Sequence, residues 1–362
     1  MTTTMPQRTT YLAIGQDLFS IDDYVREQYN YTLHHYPQAI RKTTTPQRPS
    51  IAMVYTDLQS LRGLDQPVDY GSGVEYADGL RPMALQIGLW LNGTEGCRDV
   101  LQGRLEESLQ RLRTYLCDYP HWIWLRIGYE FDNPQFGYDD PEWYKQAFRV
   151  VAEQQCDNVY SVWHSWAADR GIQYSLDDYY PGDDVVDWVG ISVFQQFFPG
   201  QPNTIPQVLA FVDAHQKPTM IAESTPFGGI QHLADPWKNW FAPTLDLMER
   251  YNIGLWSYIH CDWDAQPMWH GVGFGNSRLV VNATVQRLWN EQVLENPRFQ
   301  VALLDPPPQS LSVGAWMVPL SIGDHAMYSA VLVMAMALWF GTRRRRRTAP
   351  SIESTPALYG SI

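Results

Sequence analysis

The strongest constraint on this chain's fold is a rhythm. Eight short apolar stretches read as strands: Tyr11–Gln16, Ser50–Tyr55, Met83–Leu89, Trp122–Gly128, Asn158–His164, Val186–Phe194, Lys217–Glu223 and Ile253–Ile259. They start roughly 30 to 40 residues apart, the period of a strand plus a returning helix. Helical segments fall between them at Ile21–Tyr29, Val100–Leu116, Glu142–Glu153, Ile205–Ala214 and Pro236–Tyr251, and Leu279–Leu294 closes the series. The leucines of Val100–Leu116 recur at helical spacing, and Pro141 sits where a first-turn proline belongs. Eight such units predict an α/β chain folded as a (β/α)8 TIM barrel, whose chemistry lies where the strands end.

Two strand ends draw attention. The stretch Trp122 to Asn133 (WIWLRIGYEFDN) begins as a buried strand and ends in a polar cluster holding Glu130. Strand alternation puts Arg126, Gly128 and Glu130 on one face, with open space expected where Gly128 lacks a side chain. The stretch KPTMIAE places Thr219, Ile221 and Glu223 on one face, followed by the turn residues Ser224, Thr225 and Pro226. A glutamate at a strand end often does no more than hydrogen-bond a loop. Two of them, ending the fourth and seventh strands of one barrel, are what a retaining glycosidase requires: an acid for the leaving oxygen and a nucleophile for the sugar. Trp163, His164, Tyr258 and Trp263 occupy strand or loop positions that permit sugar contacts.

Composition excludes other classes. Residues 1–325 carry 21 basic and 38 acidic side chains, net −17, so nucleic acid is not an expected partner. The 15 Trp and 21 Tyr exceed what packing needs, and flat aromatic faces suit sugar rings. Cys97, Cys117, Cys156 and Cys261 have no metal-ligand spacing, so no metal is expected. Cys117 and Cys156 lie at the same end of adjacent units and could be bridged in an oxidising compartment. No HExxH, GxSxG or P-loop occurs, and Gly271, Gly273 and Gly275 read as a loop, so no cofactor is expected.

Beyond Pro297 the texture changes. The expected organisation is a barrel at 1–298, a Ser- and Pro-containing stalk at 299–325, a transmembrane helix at 326–342 and a basic cytoplasmic tail at 343–362. The apolar run Ala326–Gly341 is followed at once by Arg343–Arg347, which the positive-inside rule places in the cytoplasm. The expectation is a monomer attached to the cell membrane by a single pass, with its barrel on the outer face. Met1–Thr10 shows no apolar signal segment, which implies a targeting segment upstream. Sequons at Asn30, Asn92 and Asn282 fit a secretory route.

From Tyr11 to Leu294 the chain resembles the clan A glycoside hydrolases, most of all family 26, whose best-known members are endo-β-mannanases. The resemblance is carried by Arg126 four residues before Glu130, by Val162-Trp163, by YPGDDVVDWVGIS (Tyr180–Ser192), by KPTMIAE ending at Glu223, and by Trp256. It implies Glu130 as acid/base, Glu223 as nucleophile, Arg126 as a positioning cation and Trp256 as the aromatic floor beneath the sugar. Its substrate would be a β-linked polysaccharide or oligosaccharide, mannan first. Two positions depart from the family: Tyr129 stands where a His precedes the acid/base, and Phe194 where a Tyr reaches the nucleophile. They leave open another clan A specificity, such as β-glucan or xylan, or a carbohydrate-binding surface protein with little turnover.

Overall fold

The computed structural model describes residues 9–30, 51–64, 83–154, 156–168, 175–267 and 269–299. Eight strands pair in parallel, each with its sequence neighbour: β1 Tyr11–Gly15, β2 Ile51–Asp57, β3 Ala84–Trp90, β4 Ile123–Ile127, β5 Val159–Ser165, β6 Trp188–Val193, β7 Thr219–Ser224 and β8 Leu255–Ile259. β8 pairs back onto β1, from Tyr11 opposite Leu255 to Gly15 opposite Ile259, and closes the barrel. The expected (β/α)8 architecture is therefore present.

The apolar residues divide into three groups because each strand has two faces. One face fills the barrel's interior with Ala13, Ile51, Ala84, Trp124, Val162, Met220, Ala222 and Leu255. The other packs against the surrounding helices, as Leu12, Leu85, Leu125, Trp163, Ile191, Ile221 and Trp256 do. A third group, Met53, Phe194, Ile259, Cys261 and Trp263, lies toward the strand ends. Burial of these faces is the main stabilising term, since apolar area removed from water contributes about 25 cal/mol per Å².

The helices are α1 Leu18–Tyr29, α2 Gly93–Leu101, α3 Glu106–Asp118, α4 Pro141–Ala152, α5 Leu176–Tyr179, α6 Ile205–His215, α7 Ala242–Tyr251 and α8 Ala283–Trp289. The single helix expected over Val100–Leu116 is two, α2 and α3, and the break contains Gly103 at φ +73°. A left-handed residue cannot continue a right-handed helix. Asp140 caps α4 by accepting from the backbone N–H groups of Glu142 and Trp143, and Pro141 follows as its first residue. Cys117 and Cys156 form the expected disulfide, with Cα atoms 5.4 Å apart. From residue 300 on, the expected stalk, transmembrane helix and tail lie outside the described residues. Among the described residues no helix is long and apolar enough to cross a membrane.

Candidate active site

Above the apolar filling, the barrel interior turns polar. Gln86 on β3, Arg126 on β4, His164 on β5 and Ser192 on β6 are buried there, and Glu130 and Glu223 join them at 4% and 8% exposure. Such a layer persists only when its polar atoms satisfy one another.

Each glutamate reaches this layer through a backbone device that simple alternation does not predict. On β7, Ile191 of β6 pairs with Ile221, but the next residue, Ser192, pairs with Glu223. Ala222 is thus the extra residue of a β-bulge. Ile221 packs outward, Ala222 packs inward, and Glu223 also turns inward to Arg126. The expectation that Thr219, Ile221 and Glu223 share a face is therefore incorrect, although Glu223 does enter the site. At β4, Gly128 (φ +56°) and Glu130 (φ +47°) both adopt left-handed conformations, so the chain turns sharply past the strand. The expectation of open space beside the carboxylate at Gly128 is incorrect. A Cβ there would stand 2.7 Å from the Tyr144 ring, on the helix side. The glycine serves the turn and that close approach.

The two carboxylates have different partners. Glu223 is ion-paired with the fully buried Arg126, whose guanidinium Nη1 also lies 3.3 Å from His164 Nδ1. Glu130 accepts from two neutral donors, the Ser192 hydroxyl at 2.6 Å on Oε1 and the Asn133 amide at 2.8 Å on Oε2. His164 Nε2 lies 3.0 Å from Ser192 Oγ. Burial, and then the negative charge of Glu223, push the Glu130 carboxyl up to about 8, against the pull of its two donors and of Arg126. Burial and the neighbouring guanidinium hold His164 well below its ordinary value, so the imidazole is neutral. An oxygen of Glu130, an oxygen of Glu223 and a ring nitrogen of His164 all lie within 4.8 Å of one another. Arg126 already supplies the cation among them and Ser192 engages His164 Nε2, so this trio does not suit a metal ion.

The remaining candidates divide. Tyr129 borders the site: its ring lies 5.3 Å from the Arg126 guanidinium carbon and touches the rings of Tyr55 and Phe136. Phe194 and Trp263 belong to the aromatic group at the strand ends, with the partly exposed Trp166, Phe227, Trp269 and Phe274 around them. Trp263 is itself covered by Phe274, stacked at 4.4 Å. Trp163, Trp256 and Tyr258 face outward and cannot meet a substrate inside the barrel. Trp163 stacks on Phe131 at 4.4 Å, while Trp256 packs on Trp289 and Phe299 and donates its indole N–H to Ser224 Oγ at 2.8 Å. Tyr258 donates its hydroxyl to the Ser277 carbonyl at 2.6 Å. On β8 the inward residues are Leu255 and Ser257, so the expected floor at Trp256 belongs to the core between barrel and helices.

Four contributors were not singled out from sequence. Tyr55 presents its ring to Arg126 at 4.7 Å, and Gly88 makes the room, since a Cβ there would meet both Tyr55 and Arg126 within 2.7 Å. Ser192 and Asn133 hold Glu130. Both lie inside stretches already quoted, and inward register at the end of β6 was the signal available for Ser192. Beside Phe136 a groove of about 450 Å³ is lined by Trp90, Asn92, Gln135, Asp139 and Asp140 among others.

No protein-family model matches the chain. A β-1,3-xylanase from an Alcaligenes species is 29% identical over 330 residues, covering 82% of this chain and 65% of that protein. The β-1,3-xylanase TXYA of a Vibrio species is 28% identical, covering 82% and 66%. The chain thus spans just under two thirds of the length of these curated relatives. Among solved structures, a family 26 endo-β-1,4-mannanase from Cellulomonas fimi superposes with a TM-score of 0.55 at 13% identity, covering 82% of this chain and 72% of that one. That likeness is one of fold. In sequence relatives and in architecture together, the chain is similar to the clan A glycoside hydrolases, of the family 26 type.

Proposed function

We propose that the chain is a retaining, endo-acting glycoside hydrolase that cleaves a β-linked polysaccharide by double displacement. The observation that carries this reading is the pair Glu130 and Glu223, with carboxylate oxygens within 4.8 Å and with opposite surroundings. Retaining enzymes hold their carboxyl groups about 5 to 5.5 Å apart, whereas inverting ones leave about 6.5 to 9.5 Å for a water. Glu130, pushed up to about 8, is protonated at neutral pH and suits the acid. Glu223, ion-paired with Arg126, suits the nucleophile that attacks the anomeric carbon. As the sugar bonds to Glu223, the Glu130 proton passes to the departing oxygen. Glu130 then takes a proton from the water that releases the sugar.

The sequence relatives move the first choice of substrate from mannan to β-1,3-xylan. Tyr129 and Phe194, where the family 26 pattern has His and Tyr, agree with a sugar other than mannose. The bridged Cys117 and Cys156 support an oxidising compartment and hence an outward-facing barrel. Protease added to intact cells should release the activity into the medium. The direct test of function is a panel of β-1,3-xylan, β-1,4-xylan, β-mannan and β-glucan, with proton NMR of the first-formed product. Retained configuration and preference for β-1,3-xylan are expected. An inverted product, or no turnover on any of the four, would sink the reading.

A further inference from the structure

We infer that His164 and Ser192 are positioning residues that give the hydrogen bonds of this site a fixed direction, so that Ser192 always donates to Glu130 Oε1. The inference rests on the reading of Glu130 as the acid/base. Ser192 acts through the Glu130 carboxyl and His164 through Ser192.

The argument begins at Arg126, whose guanidinium can only donate. Its Nη1 contacts both Glu223 and His164 Nδ1, so Nδ1 is the acceptor and the single proton of the neutral ring sits on Nε2. That N–H donates to Ser192 Oγ at 3.0 Å, and the one hydrogen of the hydroxyl is left to donate to Glu130 Oε1 at 2.6 Å. Oε1 thus accepts from Ser192, as Oε2 accepts from Asn133. The reverse direction would have Glu130 donate to Ser192 and Ser192 to Nε2. Nδ1–H would then point at a guanidinium N–H, donor against donor in a buried site.

The direction survives the reaction. When Glu223 forms its bond to the sugar its charge disappears, but Arg126 still donates to His164, so Ser192 still donates to Oε1. The carboxylate that must act as base keeps its Ser192 donor throughout. The charged and titratable groups around Glu130 are Arg126 and Tyr129 on its own segment, His164 on β5, Glu223 on β7 and Tyr55 on β2. Ser192 contributes a donor and no charge, so its removal tests the hydrogen bond alone.

The experiment is a carbon-13 NMR titration of the full chain with labelled glutamate carboxyls, Glu130 being identified by the signal that Glu130→Gln removes. Ser192→Ala should raise the Glu130 midpoint by about one pH unit, because the anion loses a donor. Ser192→Thr, which keeps the hydroxyl, should restore it. His164→Leu should raise it by less, and His164→Gln, whose amide offers an acceptor and a donor, should stay near wild type. An unmoved midpoint in Ser192→Ala, or equal movement in Ala and Thr, overturns the inference; an unmoved midpoint in His164→Leu removes His164 from it. Because the titration needs no turnover, failure to find a glycan substrate leaves it standing. With an active enzyme, Ser192→Ala should also lower kcat about tenfold on substrates with good leaving groups, where the water step is limiting, and KM should fall with it as the glycosyl-enzyme accumulates. Loss through KM alone counts against it.

Discussion

The ends of β4 and β7 solve one problem in two ways. Both must turn a glutamate into a buried polar layer. β4 does so after the strand has stopped, with left-handed residues at 128 and 130 and neutral donors around the carboxyl. β7 does so within the strand, by one extra residue at Ala222, and sets its carboxylate against a guanidinium. Two chemically identical side chains thereby meet different surroundings, neutral donors for Glu130 and a guanidinium for Glu223, the asymmetry that the proposed acid and nucleophile would need.

The sharpest way to break this comparison is to exchange the partners' fates. Glu223→Gln should lose roughly 10⁵-fold in kcat on every substrate. Glu130→Gln should lose as much on polysaccharide but far less on aryl glycosides with good leaving groups, which need no protonation. Stopped assays on both substrate types check it, and equal losses on both would erase the division of roles. A smaller effect tests the ion pair: Arg126→Ala should destabilise the barrel by about 3 to 5 kcal/mol, because a nearly buried carboxylate loses the cation it is paired with, and Arg126→Lys should not rescue the contact to His164. Urea unfolding measures both variants.

Turning to the turn itself, Gly128→Ala should cost about 1 to 3 kcal/mol, from the left-handed φ and the approach to Tyr144. Alanine at Gly103, also left-handed but with nothing within 4 Å of its Cβ position, should cost less. A separate effect concerns pH. Glu130 binds its proton more tightly folded than unfolded, so its contribution to stability is full below the unfolded value near 4.3 and is lost as pH rises through about 8. Thermal melting of Glu130→Gln should show a weaker decline between pH 5 and 8 than wild type, by about 5 °C. A parallel pair of curves would mean Glu130 ionises as freely in the fold as out of it.

The barrel was legible because its signal is repetitive: eight apolar stretches at one period survive errors at any single boundary. Glu130, Glu223, Arg126 and His164 were also legible, as polar side chains at or near the ends of apolar strands. Which aromatics meet the site was not. Trp256 read as a sugar platform through the family resemblance and Trp163 as a permitted sugar contact, because a strand pattern gives two faces without saying which is inward. The inward direction is set by register around the closed barrel, where Ser257 and His164 take the interior and their neighbours go out. The bulge at Ala222 was equally hidden, since one extra residue leaves no mark on composition. Gly88 and Tyr55 serve a side chain on a strand far away in sequence, and only pairing of β2, β3 and β4 brings them together.

The Cys117–Cys156 bond closes a covalent ring whose ends are 39 residues apart, and Arg126, Gly128, Glu130 and Asn133 all lie inside it. Glu223 lies outside. A ring of this size removes about 4 kcal/mol of chain freedom from the open state, and it does so for one half of the site alone. In any partial opening the segment carrying Glu130 would stay tied by this bond, while the segment carrying Glu223 is not enclosed by it. Reduction of the bond would therefore do more than lower a melting point: it would change which half of the site lets go first, and the order of inactivation would record it.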